Sequence, residues 1–293
     1  MPRGPMCQSV TRHLWPPGLL AAALLLSAAA PAQPQSDRSG RPVTLSFGIV
    51  PQQSPARLAK LWTPVLAYLN RHTGYALEFE TAKDIPTFQH RLAAGEYAIA
   101  YMNPYHYVVF HKSPGYRVFA HPSGKLRGII VVRKDSPYQT LGELRGKTIA
   151  FPAPAAFAAT VLPEAYFRKK GIPITSRYVA SHDSVYMAVA DGLYPAGGGI
   201  TRTFYTLRPA IRDKLRILWT TPGFTPHAFA ALPKVPRPVV ERIQRAMIAM
   251  SRNPQGAALL KRLGFKRIVA AHDSEYNDIR ALHLDLLKIP ARE

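Results

Sequence analysis

Between residues 43 and 50, Val43, Leu45, Phe47 and Ile49 alternate with smaller residues, the two-residue period of a strand with one buried face. Ser54 then precedes a segment in which Leu58, Leu61, Trp62, Val65, Leu66 and Leu69 recur at helical spacing, and the segment stops at Thr73-Gly74. A capping residue, an apolar stripe and a terminal glycine predict a helix. A strand over 76–81 and a helix over 85–94 repeat the alternation. A strand over 97–102 follows, and after Asn103-Pro104 a helix runs through Tyr107 and Phe110. Strands alternating with helices across short loops predict an α/β fold with a largely parallel sheet. Ligands of such sheets collect beyond the carboxyl ends of the strands, which directs attention to the loops 48–54 and 102–105.

The apolar run GIIVVR at 128–133 ends in the charged turn Lys134-Asp135-Ser136-Pro137, which reads as a crossing between domains. The pattern then restarts with a short helix over 140–144, a strand over 147–151, a Pro/Ala-rich loop and a helix over 160–170. A strand over 176–179, a loop at 181–183 and a helix through Val185, Met187, Ala188 and Val189 continue it. The run Gly197-Gly198-Gly199 reads as close backbone packing or a flexible turn. A strand over 216–220 returns the chain, and amphipathic helices over 237–252 and 254–263 follow, set apart by prolines. The expected organisation is two lobes, 43–130 with 225–293 and 131–224, whose two connections form a hinge and hence a cleft.

Composition sets the compartment and narrows the chemistry. Arg3 and Arg12 precede an apolar run at 19–30 that ends in Ala30-Pro31-Ala32, the tripartite form of a secretory leader over 1–32. Residues 33–42 read as a polar lead-in. The single cysteine, Cys7, falls inside that leader, so the exported chain is expected to fold without thiol or disulfide. The chain carries 38 Lys and Arg against 17 Asp and Glu, a net charge of +21; removing the leader's two arginines from +21 leaves +19, so the excess belongs to the mature protein. Such an excess suits nucleic acid, an acidic partner or an anionic surface. The basic residues are scattered instead of gathered on one aromatic-studded stretch, which argues against nucleic acid. No nucleophile elbow, P-loop, HExxH or dinucleotide fingerprint is present, so no enzymatic activity is expected. Met102, His106 and His111 offer soft and imidazole ligands for a copper ion, but the five-residue spacing of the histidines does not stack them on one helix face. A metal-binding periplasmic protein is therefore a lesser alternative, and no cofactor is expected.

Five stretches occur in a telling order: FGIVPQQSPARLAKLWTPVLAYL from Phe47, GEYAIAYMNPYHYV from Gly95, VVRKDSPYQTLGELRGKTIAFPAP from Val131, SHDSVYMAVADG from Ser181 and NPQGAALLKRLGF from Asn253. Together they resemble the periplasmic solute-binding proteins of phosphonate, phosphite and phosphate ABC transporters. The resemblance implies a two-lobed, type II-like binding-protein fold with two mixed sheets joined by a two-strand hinge. It also implies capture of a small, oxyanion-related molecule for a membrane permease, in a chain acting as a monomer. A sensor subunit of the same fold that reports to a membrane kinase is the alternative partner assignment. In that family a Ser/Thr-rich run opens a helix and holds the oxyanion. Here the run is Pro154-Ala155-Ala156-Phe157-Ala158-Ala159, and Thr160 is the first hydroxyl. The family's Asp in the Gly-rich stretch falls at Ile200, with Thr201 and Arg202 beyond. His182 and Asp183 match a His-Asp pair, and Tyr101 and Tyr105 fall in an aromatic loop around Asn103. Tyr101, Asn103, Tyr105, Ala156, Phe157, His182, Asp183, Thr201 and Arg202 are accordingly the expected ligand contacts. Asp183 reads also as a first-turn helix residue, and Arg202 as a solvated surface residue unless it turns inward to offer its fork. The missing hydroxyls predict weak binding of simple alkylphosphonates.

Overall fold

The computed structural model describes residues 43–284; the expected leader, Cys7 and the lead-in at 33–42 lie outside them. The first elements are β1 (Thr44–Ile49), α1 (Pro55–Thr73), β2 (Ala76–Glu80), α2 (Ile85–Ala94), β3 (Ile99–Met102), α3 (Pro104–Lys112) and β4 (Arg117–Pro122). Then come β5 (Gly128–Arg133), β6 (Thr148–Phe151), α4 (Leu162–Lys169), β7 (Thr175–Tyr178), α5 (His182–Ala190), β8 (Ala196–Ile200), α6 (Thr201–Tyr205), α7 (Pro209–Arg212) and β9 (Leu215–Thr220). The chain closes with β10 (Ala228–Ala231), α8 (Arg237–Ala249), α9 (Pro254–Arg262), β11 (Ile268–Ala270) and α10 (Asn277–Arg280).

α1 shows how the sequence makes its elements. Ser54 accepts a hydrogen bond from the Arg57 amide, Pro55 fits the first turn, and Gly74 ends the helix in the left-handed region at φ 76°. Leu58, Trp62, Val65, Leu66 and Leu69 form the buried stripe. Pro64, inside the helix, has no N–H for the carbonyl of Lys60, and the Arg262 guanidinium donates to that carbonyl at 3.3 Å instead. A backbone group left without its helical partner is thus supplied by a side chain from α9.

Two mixed sheets result. The six-stranded sheet has the order β11-β4-β10-β3-β1-β2 and the five-stranded sheet β7-β6-β8-β5-β9. β1 pairs in parallel with β2 and β3, whereas β10 is antiparallel to both β3 and β4. In the second sheet β6 is parallel to β7 and β8, and β5 is antiparallel to β8 and β9. The largely parallel sheet expected from the alternation is corrected to the two mixed sheets that the resemblance implied: β4, β10 and β11, which escaped the pattern, supply the antiparallel pairs of the first sheet, and β5 supplies those of the second. The chain passes between the sheets at 123–127 and 221–227. There Leu126 and Phe224 form an antiparallel bridge, with N···O distances of 2.8 and 2.9 Å.

Two further differences bear on the site. The glycine run is the middle of β8, buried throughout: of its two readings, close backbone packing holds and the flexible turn is corrected. The helix expected from residue 160 starts earlier, as a π-helical turn over Phe157–Val161 that continues into α4. The two findings have one cause. A Cβ on Gly198 would stand 2.1 Å from the Ala159 carbonyl oxygen, and one on Gly128 would stand 1.9 Å from that of Ala158. The π turn lies directly on strand backbone, and only strands without side chains at those positions allow it so close.

Candidate functional site

Strand direction explains which residues meet. β1 leads out into Gln52, β3 into Asn103, β7 into His182, and β8 ends at Ile200. β10 runs antiparallel to β3 with Ala228 opposite Met102, so His227, just before it, stands beside the exit of β3. Val50, Gln52, Ile85, Asn103, Ala156–Ala159, His182, Ile200 and His227 surround a cavity of about 10 Å3 between the sheets. That is about the room one water molecule needs. The cleft is closed, and the apolar residues Ala153, Ala156 to Ala159 and Ile200 pack into the core cluster of the six-stranded sheet.

Its polar lining is joined across the sheets. The His182 amide donates to the Gln52 carbonyl at 2.9 Å, and Asn103 Nδ2 donates to the Ala155 carbonyl at 3.3 Å. Gln52 Oε1 accepts from the Arg202 guanidinium, and Gln52 Nε2 lies 2.9 Å from His227 Nε2. His182 Nδ1 is 3.0 Å from Thr203 Oγ1, which in turn contacts the Tyr186 hydroxyl at 2.9 Å. Burial, and secondarily the Arg202 charge, holds the His182 pKa down at about 3, and the same two causes push His227 well below the ordinary histidine range. Both rings are neutral at neutral pH and act as dipolar hydrogen-bonding groups. The π turn presents the amides of Phe157, Ala158 and Ala159 at a helix N-terminus, where no helical acceptor exists for them.

Asn103 lines this cavity and also caps α3, its Oδ1 accepting from the His106 amide at 2.8 Å. Ala156, Phe157 and His182 line it as well. Phe157 is buried edge-on against Phe224, 5.6 Å between ring centroids, beside the crossing between the sheets. Tyr101, Thr201 and Arg202 line a neighbouring cavity of about 430 Å3 that shares His227 with the first. Arg202 turns inward, so its reading as a solvated residue is corrected: it holds Gln52, donates to the Leu263 carbonyl at 3.3 Å and lies 5.5 Å from the Phe265 ring. Asp183 sits in the first turn of α5 on the other side of the cleft, 3.7 Å from Arg57 and 3.5 Å from Gln53 Nε2, outside the lining of both cavities. Burial raises its pKa, and Arg57 opposes the rise. Tyr105 is outside both linings too, and its hydroxyl donates to the Leu284 carbonyl at 3.4 Å. Thr160, within the same turn, is buried, its hydroxyl without a partner among the described residues.

Gln52 and His227 are the polar lining residues that sequence reasoning missed. Gln52 lay in a loop already marked by the strand-end rule, whereas His227 had no local signal because β10 was not recognised. His106, considered for copper, is buried 2.9 Å from Gln89 Nε2, and no group of three or more His, Cys, Asp or Glu converges among the described residues.

A family model described as "ABC transporter, phosphonate, periplasmic substrate-binding protein" matches residues 47–276. The phosphate-import protein PhnD of Mycolicibacterium smegmatis is 23% identical over 265 residues, 79% of this chain and 79% of the relative. The phosphonates-binding periplasmic protein of Escherichia coli is 23% identical over 256 residues, 82% of this chain and 76% of the relative. Among solved structures, PhnD1 of Prochlorococcus marinus in complex with methylphosphonate matches with a TM-score of 0.75 and 15% identity, covering 83% of this chain and 97% of that one. The binding-protein component of an ABC phosphonate transporter from Pseudomonas aeruginosa has the same TM-score, with 18% identity over 83% of this chain and 86% of that one.

Proposed function

Because the chain belongs to the periplasmic substrate-binding proteins of phosphonate ABC transporters, we propose that it captures a small oxyanion-bearing molecule between its two sheets and delivers it to a membrane permease without catalysing a reaction. The observation that carries this reading is the convergence of Gln52, Asn103, His182, His227 and the first turn of the 157–169 helix on one interior point. The capturing lobes are those expected, 43–130 with 225–293 and 131–224, except that the second begins with β5 at Gly128; they are exported by the leader 1–32 and act as a monomer. The segments at 123–127 and 221–227 are the hinge about which they part to admit the ligand.

Each group has a defined task. The amides of Phe157, Ala158 and Ala159 and the helix dipole attract the anionic head. Gln52, Asn103 and the neutral histidines add donors without adding charge. Ala156 and Ala158 contribute no hydroxyl, and each absent hydrogen bond to a charged acceptor is worth about 1.5 to 3 kcal/mol. Two such absences weaken a simple alkylphosphonate by about a hundredfold or more.

Calorimetry and thermal shift with phosphate, phosphite, methylphosphonate, sulfate and small carboxylates test the reading. At least one oxyanion raises the melting temperature, and His182→Ala or Gln52→Ala weakens it by about tenfold, the loss of one hydrogen bond to a charged group. Methylphosphonate binds weakly. A complete lack of response to oxyanions overturns the ligand class. Sub-micromolar methylphosphonate binding shows that the backbone amides suffice and overturns the reading of the alanines.

A further inference from the structure

The larger cavity beside the cleft has its own chemistry. It occupies about 430 Å3, within the range of small-molecule sites. Lys125 comes from the crossing between the sheets, Arg202 from α6 and Lys261 from α9, so both sheets contribute cations to one wall. No carboxylate lines the cavity, and none of the three cations forms an ion pair among the described residues. Like charges gathered around a part-desolvated space repel one another, and an anion placed among them removes that repulsion.

The fork of Arg202 is only partly used. Of the five N–H donors of a guanidinium, one reaches the Leu263 carbonyl and one Gln52, and the other three have no hydrogen-bond partner among the described residues. The remaining wall is aromatic. Phe265 lies under Arg202, Tyr101 is 5.9 Å from Phe265, and Tyr205 at the mouth is 65% exposed. Such an exposed ring beside unpaired cations is suited to stacking on a flat apolar group.

We propose that this cavity, lined by Lys125, Arg202, Lys261, Tyr101, Tyr205 and Phe265, is a second binding site that takes an aromatic oxyanion, an aryl carboxylate or aryl phosphate. The anionic group sits against Arg202 and the two lysines, and the ring lies between Tyr205 and Phe265. The site stands apart from capture in the cleft: its contact with that cavity is through His227 and the hydrogen bond from Arg202 to Gln52.

Isothermal titration of the purified protein with phenyl phosphate and with benzoate tests it, with inorganic phosphate as the ring-free reference. Phenyl phosphate binds, and its affinity falls as salt rises. The double variant Lys125→Gln/Lys261→Gln weakens it by at least about tenfold, and Tyr205→Ala weakens it further. All three residues are exposed, so these variants retain the fold. His182→Ala, whose ring lines the cleft and not this cavity, leaves phenyl phosphate affinity unchanged. Benzoate responding alone, and failing in the same variants, assigns the site to carboxylates. The proposal is overturned if neither aryl anion binds at millimolar concentration, or if the double lysine variant binds as the parent does. It is equally overturned if His182→Ala abolishes phenyl phosphate binding, because the probe then occupies the cleft. Inorganic phosphate titrated into His182→Ala and into the double lysine variant keeps the two sites apart: a loss confined to the first belongs to the cleft, and a loss confined to the second belongs to this cavity.

Discussion

His106, His182 and His227 are each almost completely buried, and burial is the leading cause of the depressed pKa of all three. For His106 and His182 the folded value is about 3, against about 6.5 for an unfolded chain. Between those values the unfolded chain binds a proton that the native state refuses. The contribution is therefore complete above about pH 6.5 and is lost as pH falls toward 3, by up to ~1.36 kcal/mol per pH unit for each ring. Denaturant midpoints taken from about pH 6.5 to 4.5 should fall steadily, and His106→Gln should make the slope shallower. An equal slope in that variant would mean that the His106 ring takes up its proton without unfolding. His106 suits this test because its ring packs beside Phe88 and contacts Gln89, away from the cleft lining.

Among the elements, the π turn and the strands beneath it form the most demanding contact. Gly198→Ala places a methyl group 2.1 Å from the Ala159 carbonyl oxygen and 2.4 Å from the Phe151 ring. Overpacking of this kind typically costs about 1 to 3 kcal/mol, and backbone atoms yield less readily than side-chain ends. Gly142→Ala is the comparison, since its nearest neighbour would be 3.7 Å away and no positive φ is required. Chemical denaturation should show a clear loss for Gly198→Ala and almost none for Gly142→Ala. The legibility of the elements follows the same local physics. α1 was readable because cap, stripe and stop agree over 19 residues. β10, the four residues AFAA, has too few β-branched side chains and too little length to display a period, and β4 carries Arg, His and Pro. Missing β10 hid His227. Arg202 was weighed against a background of 38 basic residues, and only the packing of α6 against Gln52 and Phe265 distinguishes it. The alanine turn was located by its family counterpart, whereas its close seat on the strands needs Gly128 and Gly198, distant in sequence from the turn itself.

On the scale of the whole molecule, the two sheets are held together at several points besides the crossing segments. Arg57 from α1 donates to the Thr206 carbonyl and approaches Asp183 of α5, while Asn103 reaches the Ala155 carbonyl. Both members of the Arg57 and Asp183 pair retain some exposure, 26% and 15% of their side chains, so their coupling is moderate. If these contacts belong to the closed form, Arg57→Ala favours opening and reduces apparent ligand affinity in proportion to the closed population lost. A double-mutant cycle of Arg57→Ala with Asp183→Asn, read by calorimetry on whichever oxyanion binds, should give a coupling of about 0.2 to 1 kcal/mol. Strict additivity would mean that the pair does not stabilise the ligand-bound form.

The seating of the alanine turn on bare strand backbone also bears on how such a protein diversifies. The height of the turn is set by glycines in β5 and β8, and the chemistry it shows the cleft is set by Ala156 and Ala158. These are separate codons. A substitution at the glycines disturbs the fold, whereas a single-nucleotide change from alanine to serine at the turn adds one hydroxyl and leaves the backbone in place. Ligand preference can thus drift along a lineage in one-oxygen steps while the architecture that presents it is inherited unchanged.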